Sequence, residues 1–524
     1  VTAGPGDLNA ALLLTQAARL HPDRPAVVSG ELTRTYRDLA ARALAFGGEL
    51  RARGLSSGDR VAFALHNRAE ILEIICGCFA AGLVVVPINA RLHPKEMAYI
   101  ATDSGSRVLI HGPELTDALT ALAAEFPTVE LRVEVGDQEY DGLVGSDRAL
   151  DAPVEVGALD PSWLFYTSGT TGNPKGAIWT HRTIRVITMN YLADVYNIQH
   201  TDVVLHVAPM SHGSGIVALP AVARGAANHV LGTGSFDPDR MLRYVQDEMV
   251  SHIAFLAPTQ IVRTVEDVDV SSYDLTSLKA ICYGGAPIYV ENLRAAIKAF
   301  GPVFVQIYGQ GEAPITATAL PAILHQRFLD SGDPRLGSAG FTRTDVCVRV
   351  VDADDNPVPD GESGEICIRG DIVMAGYWRN PEATAAALRG GWLHTGDVGS
   401  FDAHGYLYLL DRVKDMIVSG GNNVYPREVE EVLITHPQVS QVVVVGIPDP
   451  YWGEAVHAVV VPEDKARVTA ADLIAFTGEH LAGYKKPKSV DLVAELPTSG
   501  YGKVLRREIR DRYWRGRTRK VGGG

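Results

Sequence analysis

The stretch Tyr166-Thr167-Ser168-Gly169-Thr170-Thr171-Gly172-Asn173-Pro174-Lys175-Gly176 concentrates residues able to hold an anion. Its hydroxyls and backbone N–H groups can converge on one oxyanion, and Gly169 and Gly172 permit positive φ angles and close approach. Lys175 adds a mobile cation. The spacing is not that of GxxxxGK[ST], because Lys175 stands six positions after Gly169 and directly follows Pro174, and GxGxxG does not fit either. In isolation such a cluster is also compatible with a surface turn. Its chemistry, if it has one, is the cradling of phosphate.

A cradle of this kind needs a strand before it and a helix after it. The apolar run at 163–165 precedes the loop, and a helix is expected after His181. Upstream, Thr35 with Asp38 has the spacing of a helix N-cap opening a helix that Gly54 ends. Residues 59–65 read as a strand, 69–81 as a helix and 83–88 as a buried strand. The rhythm returns at 203–209, 252–258, 278–287 and 303–309. Strand–helix alternation with near-continuous apolar strands predicts a largely parallel sheet covered by helices. After about residue 340 the pattern becomes alternating and turn-rich, as in antiparallel hairpins, through 346–370 and 392–412. From 424 a smaller α/β unit follows, with strands near 439–448 and 455–462.

The composition agrees with a multidomain globular chain. Apolar residues are 46% and charged residues 21% of 524, which excludes disordered, collagen-like and coiled-coil classes. The net charge of −14 is uneven: Lys503 to Lys520 carries nine basic and two acidic residues. An acidic body of this kind argues against nucleic acid as a partner. Cys76, Cys78, Cys282, Cys347 and Cys367 lie in apolar or strand-like stretches and are expected to be buried thiols in a reducing compartment. Cys76-Gly77-Cys78 has no second pair to complete a zinc site. The apolar run 74–88 is short and broken, so no membrane span is expected, and no secretory signal is read. A soluble, cytoplasmic protein is the expectation.

YTSGTTGNPKGA (166–177) resembles the signature of the adenylate-forming superfamily, which includes acyl- and aryl-CoA synthetases, peptide-synthetase adenylation domains and firefly luciferase. Six further motifs follow in the family's order over nearly the whole chain: PMSHGSG (209–215), YGGAP (283–287), YGQGE (308–312), HTGD (394–397), DRVKDMIVSGGNNVYPREVE (411–430) and PTSGYGK (497–503). The resemblance implies an α/β fold: a large N-terminal domain of two αβα subdomains plus a small β-barrel, with a smaller mobile α/β C-terminal domain. The expected division is 1–410, β-rich over about 335–410, a hinge at 411–415, and a lid domain over 416–524.

The implied reaction has two steps. A carboxylate attacks the α-phosphate of ATP to form an acyl-adenylate and pyrophosphate, and a thiol, usually that of coenzyme A, then displaces AMP. The first step brings two anions together, so cations and oriented donors must offset the repulsion. By resemblance, Lys503 bridges carboxylate and α-phosphate, Glu312 ligates Mg²⁺, and the 167–172 loop with Lys175 holds the phosphates. Asp397 and Arg412 would bind the ribose, and Gly285, Ala286 and Pro287, with Tyr308, Gly309 and Gln310, the adenine side. His212 would line the carboxylate end of the acyl pocket, positioning rather than acting as a base. Lys414 is the implied hinge, Ser419, Gly420 and Gly421 the implied pantetheine tunnel, and Trp452 a candidate platform for the CoA adenine. Lys503 is also a candidate target of a lysine acetyltransferase, and a homodimer is a candidate assembly.

Two positions depart from the family pattern: Gly311 stands where Thr is usual, and Asn422 where Glu or an aromatic is common. The missing hydroxyl is replaced by water or Gln310, or else Gly311 opens room in the acyl pocket. The segments 209–217, 283–287 and 308–316 contain no Arg or Lys, which points to a monocarboxylate of medium size, aliphatic or aromatic. The leading reading is an ATP-dependent acid–CoA ligase. The alternatives are an adenylation enzyme loading a carrier protein and a non-catalytic nucleotide-binding protein.

Overall fold

Val84–Asn89 has no charged side chain and is buried throughout, as a strand covered on both faces must be. It lies inside a six-stranded sheet of order Leu131–Glu134, Val108–His111, Arg60–Leu65, Val84–Asn89, Pro161–Thr167, Lys175–Thr180. The first four pairings are parallel and the last is antiparallel. The computed structural model describes residues 8–167, 174–232, 234, 236–286, 288–412, 415–419, 422–463, 467–498 and 504–515.

A second, nine-stranded sheet runs in the order Phe341–Thr342, Thr318–Leu320, Phe304–Tyr308, Ala280–Gly284, His252–Leu256, Val203–His206, Ala227–Val230, Pro25–Ser29, Leu32–Thr35. Its interior is parallel, and antiparallel strands close both edges. Open parallel sheets place ligand sites beyond the carboxyl ends of their strands. Thr167, Gly284 and Tyr308 are such ends.

The expected hairpins form a four-stranded antiparallel sheet of Cys347–Val351, Gly364–Arg369, Leu393–Phe401 and Leu407–Arg412. It begins later than 335, because Phe341–Thr342 still pairs with Thr318–Leu320 in the large sheet. It also continues to Arg412, which stands opposite Asp397. The C-terminal unit is a five-stranded sheet, in which Ser489–Leu492 runs parallel to Gly453–Pro462. Arg506 of this unit pairs with Glu430 at 2.7 Å and with Asp411, on strand Leu407–Arg412 of the four-stranded sheet, at 2.9 Å.

Thr35 and Asp38 form the expected capping box of helix Tyr36–Ala52. One cysteine departs from expectation. Cys76, Cys78, Cys282 and Cys367 are buried, whereas Cys347 is exposed, because it opens its strand at an outward position. Among the described residues no helix is long and apolar enough to cross a membrane.

Candidate active site

Strand Pro161–Thr167 alternates its side chains, so Phe165 and Thr167 share one face while Tyr166 turns away and donates to Asp103 at 2.6 Å. Thr167 Oγ1 donates to Glu312 Oε1 at 3.1 Å, and the Tyr377 hydroxyl donates to the same oxygen at 2.8 Å. Burial and the Glu312 carboxylate push the Tyr377 phenol up, so it stays protonated and remains a donor. Lys175 Nζ lies 5.2 Å from the centre of the Tyr377 ring. Two motifs far apart in sequence thus meet through Tyr377, which no motif had marked.

Gly311 has a physical reason in this packing. A Cβ there would lie 2.3 Å from Thr167 Cγ2 and 2.7 Å from Phe165 Cδ1. The room is therefore filled by Phe165 and Thr167 instead of being opened to substrate. The Gly311 carbonyl accepts the Trp179 indole N–H at 2.7 Å, and Trp179 stacks on Phe165 with centroids 4.8 Å apart. Gln310 is committed too: its Nε2 donates to the Thr395 carbonyl at 3.0 Å and to Asp397 Oδ2.

Asp397 gathers three side chains, since Tyr308 Oη also donates to Oδ2 at 2.9 Å and Arg412 Nε lies 3.1 Å from Oδ1. The turn carrying it is fixed from behind. Gly396 has φ +68°, and its N–H donates to Glu365 Oε1 at 2.9 Å. Gly285, at φ +74°, follows the strand Ala280–Gly284 directly. Segment 308–312 therefore carries one end of the group expected to meet the ribose and, four residues on, the carboxylate expected to hold magnesium. A hard carboxylate oxygen beside hydroxyl donors suits a cation that keeps most of its waters.

His212 is the N-cap residue of helix Gly213–Arg224. Its ring meets the edge of Phe165 at 5.3 Å, and its Nδ1 lies 3.3 Å from Ser211 Oγ. Burial pushes its imidazole down to about 4, so it is neutral at pH 7. Phe255 lies beneath both Gly213 and Gly285, the ring atoms being 3.6 Å and 3.4 Å from the Cβ positions those glycines lack. Small residues therefore bring the backbone down onto an aromatic floor.

In the C-terminal unit, Ser419 pairs with Gly453, next to Trp452. Trp452 is 37% exposed, with Lys488 Nζ 5.0 Å from its ring centre. The structure thus brings together two of the residues expected to meet CoA. Ser168, Gly169, Thr170, Thr171, Gly172, Pro287, Lys414, Gly420, Gly421 and Lys503 lie outside the described residues.

A carboxylate held by Tyr308, Gln310 and Arg412, a second held by Thr167 and Tyr377, and a neutral histidine thus lie at or near the sheet ends. The chain matches the AMP-binding enzyme family over residues 14–378 and the AMP-binding enzyme C-terminal domain over 428–503. It belongs to that family, within the adenylate-forming superfamily. It is 40% identical over 500 residues to a feruloyl-CoA synthase of Amycolatopsis sp, covering 95% of this chain and 97% of that one. Identity is 35% over 541 residues to a medium/long-chain fatty-acid–CoA ligase of Mycobacterium tuberculosis, covering 97% and 91%. Among solved structures, ATP-bound MatB from Rhodopseudomonas palustris superposes with a TM-score of 0.88 at 28% identity, covering 97% of this chain and 99% of that one.

Proposed function

We propose that this protein is an AMP-forming, ATP-dependent carboxylic acid–CoA ligase acting on a medium-sized monocarboxylate, with an aryl acid favoured. The observation that carries the reading is segment 308–312, which joins Asp397 through Tyr308 and Gln310, and Thr167 and Tyr377 through Glu312. One short piece of chain sets the distance between a ribose ligand and a metal ligand. The aromatic surfaces of Phe165 and Phe255 beside His212 and Gly285 favour a planar acyl group.

In this reading Glu312 would hold Mg²⁺, which would supply charge neutralisation to the phosphates. Thr167 and Tyr377 fix the carboxylate, Lys175 approaches the phosphates, and Lys503 serves the adenylation step. His212 stays neutral and orients the incoming carboxylate, which is already ionised. The 416–524 unit then turns about Lys414, so that Ser419, Gly420, Gly421 and Trp452 guide CoA. Acetylation of Lys503 would remove its charge and silence the first step. The proposed location is cytoplasmic.

The test is acid-dependent pyrophosphate release across a panel of aryl and alkyl acids, with CoA, a pantetheinylated carrier or no thiol. Release with an acid and thioester formation with CoA are expected. ATP binding without release for any acid would overturn the enzyme reading, and transfer only to the carrier would overturn the CoA assignment.

A further inference from the structure

Among the described residues, three buried side-chain nitrogens without a hydrogen-bond partner belong to two neighbouring residues: Nε and Nη1 of Arg343 and Nδ2 of Asn190. The Arg343 side chain is wholly buried, and Asn190 is 6% exposed. Arg343 Nη2 donates to the Asn190 carbonyl at 3.5 Å and lies 3.3 Å from Asp194 Oδ2. Burial lowers the guanidinium to about 10, which leaves it charged at neutral pH. Buried donors without acceptors cost free energy, so their gathering at one place asks for a complement.

The surrounding backbone is unusual in two ways. Helix His181–Asn190 runs into a π-helical turn, Tyr191–Val195, a feature that recurs at functional sites. Ile315 is β-branched yet has φ +45°, a strained conformation. It lies three residues beyond Glu312, and two residues later the Ala317 carbonyl accepts the Arg343 amide at 3.2 Å. The chain leaving Glu312 thus leads to Arg343. Tyr191, which follows Asn190 in the chain, is buried in one apolar cluster with Val195, Val217 and Ile307, and Phe255 and Ile315 pack against it. Phe255 is also the floor beneath Gly213 and Gly285. One apolar cluster therefore reaches from Phe255, beneath Gly213 next to His212, to Tyr191, next to Asn190.

We propose that Arg343 and Asn190 form the far wall of the acyl pocket and bind a neutral oxygen acceptor, a hydroxyl or ether oxygen, at the end of the acid remote from its carboxylate. The orphan atoms are all donors, which excludes an ammonium group. Asp194 already balances the Arg343 charge and is itself held by the Thr344 N–H at 3.0 Å and its hydroxyl at 2.8 Å. A second carboxylate would leave net negative charge in the interior, so a neutral oxygen fits better. Arg343 lies outside the segments in which the sequence showed no Arg or Lys, and it changes the expected substrate from a plain to an oxygenated acid.

The proposal rests on the ligase reading, and its test separates the two. Pyrophosphate release at saturating ATP is measured with two aryl acids of equal size, one bearing a distal hydroxyl or methoxy group and one a methyl group there. The wild type should favour the oxygenated acid by about 100-fold or more in kcat/KM, because a site built for hydrogen bonding rejects an analogue lacking the partner. Arg343→Met should reduce that preference to about threefold, with KM for ATP unchanged. Asn190→Leu and Arg343→Lys, which keeps a charge for Asp194, should each lower it partly, and they carry the test if the Met variant fails to fold in a thermal melt. Equal loss on both acids, or no wild-type preference, overturns the proposal. No turnover of either acid or of the wider panel overturns the ligase reading and, with it, this one.

Discussion

At the proposed nucleotide end, Glu312 is joined to Thr167 and Tyr377, and Asp397 to Tyr308, Gln310 and Arg412. At the acyl end, His212 meets an aromatic edge, Phe255 lies under bare glycine backbone, and Arg343 and Asn190 present donors without acceptors. One end is a preorganised polar network, which suits a cosubstrate of fixed chemistry. The other is an apolar slot whose polar complement the substrate must bring. In the proposed reading, catalytic electrostatics and substrate choice are carried by separate groups of residues.

Acid should have the largest effect on stability. His206, His252 and His325 are buried around the nine-stranded sheet, with imidazoles pushed down to about 4, 3 and 4 by desolvation. Their folded values lie below the unfolded value of about 6.5. Their contribution to stability is thus present above pH 6.5 and is lost as pH falls toward 4, by about 1.4 kcal/mol per pH unit for each ring. Denaturant unfolding at pH 7, 5.5 and 4.5 should show a steady fall, and a flat profile would show that these rings do not stay neutral in the folded protein.

The next largest effect belongs to the nucleotide end. Glu312→Gln keeps an acceptor for Thr167 and Tyr377 but loses the charge facing the metal. Adenylation should drop by about 100-fold or more, with the preference among acids unchanged. A matching change in acid preference would show that the two ends are coupled. Gly311→Ala forces a methyl group against Thr167 and Phe165. Overpacking of this kind costs about 1–3 kcal/mol, and Phe165→Leu in the same chain should recover part of it, as read by thermal unfolding and pyrophosphate release. Additive losses would mean that the two residues do not share the space. Tyr377→Phe removes one hydrogen bond to a charged group, so adenylation should fall by about tenfold with little change in melting temperature.

The same contrast governs what could be read from sequence. Glu312, Asp397, Arg412 and Lys175 stand in short motifs, because phosphate and ribose impose one chemistry on local spacing. Strand–helix alternation likewise announced the parallel sheets, since buried strands are apolar residue by residue. Tyr377, Trp179 and Phe165 were silent, because their contacts join positions 65 to 145 residues apart in the pairs Tyr377–Glu312, Trp179–Gly311 and Thr167–Glu312 around them. Arg343 and Asn190 were silent for another reason: a donor without a partner is visible only once its surroundings are folded. Gly311 read in the sequence as a missing hydroxyl or as room for the acyl group, and the Phe165 ring that fills its space explains it.

Segment 308–312 has a consequence for how the protein comes to exist as a binder. Tyr308 belongs to the nine-stranded sheet, Asp397 to the four-stranded one, and Thr167 to the six-stranded one. Five consecutive residues are thus the seam of three layers that fold from separate stretches of chain. Nucleotide affinity cannot precede the assembly of all three, so ATP selects only the completed domain and stabilises it as a whole by mass action. Bound nucleotide then works as a certificate of folding, raising the resistance of the large domain to proteolysis in one cooperative step.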